Sequence, residues 1–330
     1  MFTNTIIDQK HNTRNQRMKI CFTDLGLRFS LFSTIFVCFF VQIQAQTPND
    51  ANMMDKREAC LLLAYTHGSF DQYWEGSKLR ENQTIATVQR QTILGMAAIG
   101  VIDKLNLYVG LPYVKAESSE VTGGQLAGVS GLQDVLVGLK YQLINAQSST
   151  GTFSLFPSIT FSTPVSNYLS DYQPYSLGLG TSEINWRLMA HYKLNKGIYT
   201  TIGAVHVWRG YTEAERDYYY NNGSFYTATM DVPSAWNFEA LVGSWLFKNK
   251  LRLEVNYSSL RSISGDDIRA YNAPQPTNKV HMDRVGAFGQ YYFNPEGGFG
   301  IVASYNTIFQ GRNAPKMTSL NLGITYQFGY

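Results

Sequence analysis

The last segment of the chain alternates apolar and polar side chains at every second residue, and this pattern restricts the fold more than any other feature. One face of the segment carries Leu320, Leu322, Ile324, Tyr326, Phe328 and Tyr330. The other face carries Ser319, Asn321, Gly323, Thr325, Gln327 and Gly329. Successive side chains of a β-strand point to opposite sides of the sheet, so the pattern predicts a strand. One such strand fits a membrane barrel or a soluble sandwich equally well.

The same alternation recurs along the chain and predicts twelve strands. Their predicted bounds are 59–68, 84–100, 104–114, 131–143, 152–163, 181–194, 197–209, 235–247, 250–261, 281–293, 298–309 and 317–330. The segments between them alternate between long and short, and the short ones carry turn residues such as Asn195-Lys196-Gly197. Long loops at one end and tight turns at the other are typical of outer-membrane barrels.

Strand length and composition support the same fold. The predicted strands exceed the roughly five or six residues usual in soluble sheets, and they cover the roughly 9–11 residues that a tilted strand needs to cross a bilayer. Charged residues make up only 15% of the chain, against about a quarter in soluble proteins. Because an open sheet edge in lipid leaves backbone groups unpaired, the strands must close. We predict an all-β fold: a single antiparallel up-and-down transmembrane β-barrel of about 12 strands, with short periplasmic turns and long extracellular loops.

The N-terminus predicts export. Basic residues precede an apolar run over 29–41, and Ala45 follows in a cleavage-site context. The run is too short for a membrane-spanning helix, which needs about 20 residues. We predict a signal peptide over residues 1–45 (with Met18 as an alternative start), a periplasmic tail over 46–58 and an outer-membrane β-barrel over 59–330. The alternative is a retained N-terminal anchor helix.

The mature chain shows no sign of a cofactor or of nucleic-acid binding. Cleavage removes five of the 27 basic and two of the 24 acidic residues, which leaves 22 of each and a net charge of zero. No basic patch points to nucleic acid. Cys60 is the only remaining cysteine, so the sequence contains no intramolecular disulfide and no Cys/His metal motif. We therefore expect no cofactor and no nucleic-acid partner.

Several short motifs carry a family resemblance. Residues 91–114 read QTILGMAAIGVIDKLNLYVGLPYV, and GLQDVLVGLKYQL follows from residue 131. The turn at 99–103, Leu111-Pro112-Tyr113, the Gly131–Asp134 segment, the strand end at 161–164 and the glycines of 177–180 resemble the family described as "putative MetA-pathway of phenol degradation". Ile99 replaces a usual Tyr and Gln133 a usual Gly. The resemblance implies an outer-membrane transporter, related in kind to the long-chain fatty acid transporters, and leaves the substrate open.

Charged and histidine residues on the predicted inward faces are the candidate site residues. They are Asp134, Lys140, Glu183, Arg187, His191, His206, Glu239, Arg252, Glu254 and Arg284. Three interpretations remain open. The residues could line a hydrated pore and set its selectivity, they could neutralise one another in a structural network, or they could serve catalysis. Ion pairing favours the structural interpretation for any one residue.

The leading functional hypothesis is a porin-like, passive transporter for small hydrophobic or aromatic compounds in the outer membrane of a Gram-negative bacterium. The alternative is a non-transporting structural or adhesive barrel that acts through its extracellular loops. A remote alternative is a lipid hydrolase that uses His67 and Ser69, but the sequence offers no complete catalytic constellation, so we expect no enzyme activity. Expected partners are outer-membrane lipid, a small-molecule cargo and the outer-membrane assembly machinery, which would read the C-terminal strand ending at Tyr330.

Overall fold

The computed structural model describes residues 47–122, 126–269, 274–294 and 297–330. The predicted signal peptide lies outside these residues. Twelve long strands make up the fold, and we number them in chain order. They are β1 (Glu58–Phe70), β2 (Val88–Ile102), β3 (Leu105–Thr122), β4 (Asp134–Tyr141), β5 (Gly151–Pro164), β6 (Glu183–Leu194), β7 (Ile198–Arg209), β8 (Ala235–Leu246), β9 (Leu251–Ser262), β10 (His281–Tyr292), β11 (Gly298–Arg312) and β12 (Thr318–Gly329). In the part of the chain that the structure describes, no helix has the length and apolarity needed to cross a bilayer.

Each long strand pairs antiparallel with its neighbours in sequence, and the sheet closes on itself. The first and last strands join over their full length, from Glu58 opposite Gly329 to Ser69 opposite Thr318. Strand β1 also pairs with β2. Closure gives every spanning strand a hydrogen-bonding partner on both sides, which a barrel in lipid requires. The prediction of a closed twelve-stranded, up-and-down barrel is confirmed.

The two faces of the wall differ as the alternation predicts. On β12, Leu320, Leu322 and Ile324 are about half exposed on the outer face, whereas Thr325 is buried on the inner face. On β9, Val255 is 67% exposed, while its neighbours Arg252 and Glu254 point into the lumen. Exposed apolar rows of this kind encircle the barrel. In water they would be a large aggregation-prone surface, and in a bilayer they are the lipid-facing belt.

The two ends of the barrel carry different connections. At one end the connections are short. They span 103–104, 195–197, 247–250, the few residues between β10 and β11, and 142–150, which contains the short strand Ile144–Gln147. At the other end the connections are long and contain small sheets of their own. The hairpin of Gln72–Glu75 with Lys78–Glu81 lies between β1 and β2, and Tyr211–Glu213 pairs with Thr229–Asp231 between β7 and β8.

The third and fourth strands depart from the predicted bounds. Strand β3 continues to Thr122, although its polar end was predicted as loop after residue 114. The predicted strand over 131–143 is broken into Leu126–Leu132, Asp134–Tyr141 and Ile144–Gln147. The break falls at Gln133, whose N–H donates to the carbonyl of Pro112 at 3.0 Å. Leu126–Leu132 pairs only with β3, so these two strands rise above the neighbouring wall at the long-loop end.

Candidate functional site in the barrel lumen

The N-terminal tail lies inside the barrel at the short-turn end, where residues 47–52 form a tight turn around Asp50. One carboxylate oxygen of Asp50 accepts the backbone N–H of Thr47 at 2.9 Å, and the other accepts the N–H of Asn52 at 2.9 Å. An aspartate that binds nearby backbone N–H groups is a common turn-former. The turn therefore presents a compact carboxylate and several carbonyl groups to the barrel wall.

Lys140 of β4 holds this turn. Its ammonium group donates to the carbonyl oxygens of Thr47 at 3.1 Å, Asp50 at 3.0 Å and Asn52 at 2.7 Å, and lies 3.4 Å from the Asp50 carboxylate. The Lys140 side chain has no exposed surface. A buried ammonium is tolerated only when its donors and its charge are both satisfied. The tail thus supplies both the hydrogen-bond acceptors and the negative charge that a buried Lys140 ammonium group requires.

A second contact anchors the tail by its apolar side chain. Met54 is 1% exposed and packs with Cys60, Ala98, Tyr108 and Val302 of the wall. The side-chain amide of Asn106, oriented so that both its ends are satisfied, pairs with the backbone O and N of Met54 at 3.1 and 2.8 Å. At Gly100 the tail crosses so closely that a Cβ would lie 1.9 Å from the carbonyl oxygen of Asp55. Only glycine allows this approach.

Arg252 and Glu254 of β9 complete the polar cluster. The Arg252 guanidinium lies 2.6 Å from Glu254 and 3.6 Å from Asp50. The hydroxyl of Tyr199 donates to Glu254 at 2.8 Å. Burial raises the pKa of the Asp50 carboxyl, but the positive charges of Lys140 and Arg252 outweigh this effect, so the pKa lies below its ordinary value. Asp50 is therefore an anion between two cations.

The cluster separates two cavities. One, of about 340 Å³, extends toward the long-loop end and is lined by both polar and apolar side chains, among them Leu62, Leu94, Phe288 and Arg284. The other, of about 370 Å³, reaches the short turns, where Gln142 and Asn249 line it. Asp50 lines the first cavity, and its neighbour Ala51 lines the second. Thr201, Leu241, Arg252 and Glu254 line both, so the barrier between them is the tail turn and this group.

The structure places nine of the ten predicted site residues on the inner face of the wall. Lys140, Arg252 and Glu254 belong to the cluster just described. Arg187 binds Glu239, Arg209 binds Glu183 at 2.7 Å, and His191 lies 2.8 Å from the hydroxyl of Thr201. Asp134 accepts a hydrogen bond from the Tyr168 hydroxyl at 2.6 Å. Arg284 contacts Ser258.

The inward placement of His206 is wrong. In register it lies between Trp186 and Trp236, which are 57% and 42% exposed on the outer face. Its ring packs edge-on against Trp236 with centroids 4.9 Å apart. The alternation misleads here because both faces of this strand end are apolar. Val205 and Val207 fill the inner face as a small buried cluster and leave the outer face to the histidine.

The connection between β5 and β6, residues 165–182, folds into the long-loop end of the barrel. Arg90 of β2 donates to the carbonyl groups of Ser176 and Leu177. The Tyr175 hydroxyl lies 2.7 Å from the Ser118 hydroxyl. Backbone carbonyls held by an inward arginine make this segment part of the lumen wall. Both ends of the lumen are thus narrowed by the chain's own segments.

Sequence reasoning missed Asp50, Met54, Asn106 and Arg90. One signal could have found Asp50. Lys140 is an inward cation near the short turns, and the other charge of its strand, Asp134, lies at the far end of the strand, so Lys140 needs a nearer anion. The polar segment Thr47-Pro48-Asn49-Asp50 has turn composition and lies directly before β1. Which backbone atoms would meet the lysine depends on the path of the tail, and no local pattern encodes that path.

The polar interior, the apolar exterior and the closed antiparallel wall together define an outer-membrane β-barrel. The short-turn end is accordingly the periplasmic end and the long-loop end is the extracellular end. The chain belongs to the family described as "Putative MetA-pathway of phenol degradation", whose sequence profile matches residues 73–324. The resemblance noted in the sequence is thereby confirmed.

A solved structure shows the same fold. An outer membrane channel from Pseudomonas putida F1 superposes with a TM-score of 0.65 at 14% identity and covers 86% of this chain and 100% of its own. The translocator domain of the autotransporter NalP from Neisseria meningitidis is more distant, with a TM-score of 0.44, 10% identity and coverage of 92% of this chain and 95% of its own. At 14% identity the likeness to the Pseudomonas putida channel concerns the fold alone. No curated protein sequence gives a significant match to this chain.

Proposed function

We propose that the protein is a passive channel for small hydrophobic or aromatic compounds across the outer membrane, in a state that the N-terminal tail holds closed. The observation that carries this proposal is the pair of cavities separated by the tail turn and four wall residues. If the tail turn withdraws, a path opens from the outer cavity to the periplasmic end. The family name and the channel with the same fold agree with this function.

The lining of the outer cavity supports the proposed cargo. Leu62, Leu94, Met189, Phe288 and Val302 contribute apolar surface inside a wall that is otherwise polar. A volume of about 340 Å³ falls at the lower end of the range of roughly 300–1,000 Å³ typical of small-molecule sites. A pore for sugars or ions alone does not need this apolar surface, and we infer that it contacts the cargo.

The test is solute flux into liposomes that contain the purified protein, with protein-free liposomes as the baseline. The proposal predicts that a small aromatic solute enters faster than a sugar of similar size, and that the Asp50→Asn variant, whose tail turn is weakened, admits it faster still. Flux equal to the baseline for every solute, in both proteins, would rule the channel out.

Two observations favour the alternative of a non-transporting barrel. Lys140 is fully buried against the tail, as expected of a permanent plug. The segment between β7 and β8 also forms a structured extracellular surface, with the Tyr219 and Phe225 rings stacked 5.1 Å apart. Under this alternative, deleting residues 217–228 abolishes binding to a surface partner and leaves permeability unchanged.

The remaining partner proposals rest on single features. Outer-membrane lipid would contact the exposed apolar belt, and the assembly machinery would read the aromatic side chains of β12. The remote hydrolase alternative gains no support from geometry, because His67 lies on the outer face in register with Leu320, which is 51% exposed. Retention of any lipid-hydrolysing activity in His67→Ala and Ser69→Ala variants would count against that alternative.

A further inference from the structure

We propose that Arg284 is the recognition residue of the outer cavity, and that the cargo is a small organic anion with an aromatic or apolar body, such as an aromatic carboxylate. This inference rests on the proposed channel function and narrows its substrate class. It is carried by the contacts of Arg284 and by the composition of the wall around it.

Arg284 differs from the other inward arginines in what it contacts. Arg187, Arg209 and Arg252 each form an ion pair with a carboxylate, and Arg90 donates to backbone carbonyls. Among the residues that the structure describes, no carboxylate lies within 4 Å of Arg284. Its one hydrogen bond runs from Nε to the Ser258 hydroxyl at 3.1 Å. Arg284 is exposed and lines the outer cavity, and in the described part of the chain its guanidinium group has no further hydrogen bond.

Glu239, an acidic residue close to Arg284 in the wall, has hydrogen-bonding partners on both of its carboxylate oxygens. Glu239 and Arg284 both lie in register with Ser258, on opposite sides of β9. One Glu239 oxygen binds Arg187 and the other accepts the amide of Asn237 at 2.7 Å. Glu254, two rows away, binds Arg252 and Tyr199. Glu239 attracts the Arg284 guanidinium only from beyond ion-pair distance, and no carboxylate of the described residues contacts it, so its N–H groups can bind a ligand.

The wall beside Arg284 suits an apolar body. Gly286 and Phe288 follow on the same inner face of β10, and Asn306 lies beside Gly286 on β11. A Cβ at Gly286 would lie 2.2 Å from the Asn306 amide oxygen, so this position has to remain glycine. On β10, therefore, no side chain stands between the Arg284 guanidinium and the Phe288 ring. Leu62, Leu94 and Val302 complete the apolar wall. A carboxylate on Arg284 would place an attached ring toward Phe288.

The chemistry favours an anion over a neutral compound. A guanidinium binds a carboxylate through two parallel N–H···O bonds, which are stronger than bonds to a neutral hydroxyl. Such charge-assisted bonds contribute roughly tenfold or more to affinity. A cationic analogue would be repelled.

The test is calorimetric titration of the full-length protein in detergent with benzoate, benzyl alcohol and benzylamine. We expect benzoate to bind about tenfold more tightly than benzyl alcohol, and benzylamine to bind more weakly than either. Arg284→Gln should remove the benzoate preference and weaken benzyl alcohol binding far less than benzoate binding, and Arg284→Lys should restore part of the preference. Lys115→Gln, on the outer face beside Glu117, is the matched control and should change nothing.

The outcomes separate this inference from the proposed function. Equal binding of benzoate and benzyl alcohol, or a benzoate preference that survives in Arg284→Gln, would overturn the role of Arg284 while leaving the channel intact. Absence of binding by all three probes, together with baseline flux in liposomes, would overturn the channel itself. Phe288→Leu should weaken benzoate and benzyl alcohol alike, because both place a ring on the same wall.

Discussion

Lys140 illustrates how one residue ties the tail to the wall. Its ammonium group is fully buried, and three carbonyl groups and one carboxylate of the tail surround it. Removing one member of a buried ion pair typically costs about 3–5 kcal/mol, because the other is left uncompensated. The docked position of the tail therefore depends on this one side chain.

Replacing Lys140 by Met should release the tail turn, because Asp50 and the three carbonyls lose their partner. In a Cys60→Ala background, a cysteine at Ala51 should then react with a water-soluble maleimide at least tenfold faster than in the parent protein. Lys115→Met, on the outer face, is the control and should leave the rate unchanged. Equal labelling rates in all three proteins would show that Lys140 does not hold the tail.

The charge of Asp50 predicts the pH dependence of the closed state. Its pKa in the docked tail lies below the ordinary value, so ionised Asp50 stabilises docking above the ordinary Asp pKa of about 4. This contribution is lost as the pH falls through the lower pKa of the docked state. The labelling rate at Ala51→Cys, divided at each pH by the rate of free glutathione to remove the effect of the thiolate fraction, should therefore stay constant from pH 7 to pH 5 and rise only below about pH 4. A rise centred near pH 6 would show that a group other than Asp50 controls the docking of the tail.

The tail is anchored to the barrel wall a second time, by an apolar contact of Met54 in addition to the polar contacts of Asp50. Met54 fills a buried site between β1, β2, β3 and β11. Replacing Met54 by Ala should weaken docking by about 2–5 kcal/mol, since a large buried side chain is lost. Hydrogen exchange of residues 47–55, followed by mass spectrometry, should accelerate accordingly. Met53→Ala, at the neighbouring half-buried position, should have a smaller effect, and equal effects would contradict the anchoring role of Met54.

Strand positions were predictable from the sequence because alternation is a local signal. All twelve strands are where the alternation predicts, and their bounds fail where the local signal weakens. The Lys115–Thr122 extension of β3 is mostly polar because it rises toward the extracellular end, so its sequence resembles a loop. The tail was predictable as a polar segment and not as part of the lumen, since its partners Lys140 and Arg252 are about 90 and 200 residues away along the chain. The face of His206 was predicted wrongly for the same reason, because the tertiary packing of Val205 and Val207 on the inner face decides where the histidine points.

At the scale of the whole molecule, the exposed apolar belt predicts how the barrel tolerates charge. Val255 is 67% exposed on the outer face, in the middle of β9. Val255→Arg should destabilise the folded barrel in lipid vesicles by about 2–4 kcal/mol, the cost of arginine near the bilayer midplane. Asn256→Arg, one residue along and facing the lumen, should cost much less. Unfolding by urea in vesicles measures both, and equal costs would contradict the assignment of the two faces.

A channel whose lumen is interrupted by the turn around Asp50 should conduct little until that turn is loosened. Single-channel recording in planar bilayers at neutral pH measures this for wild type, Asp50→Asn and the neighbouring control Asn49→Gln. We expect small or rare currents in wild type and in Asn49→Gln, and larger or more frequent openings in Asp50→Asn. Currents that are the same in all three proteins, or absent from all three, would show that the Asp50 turn does not close a channel.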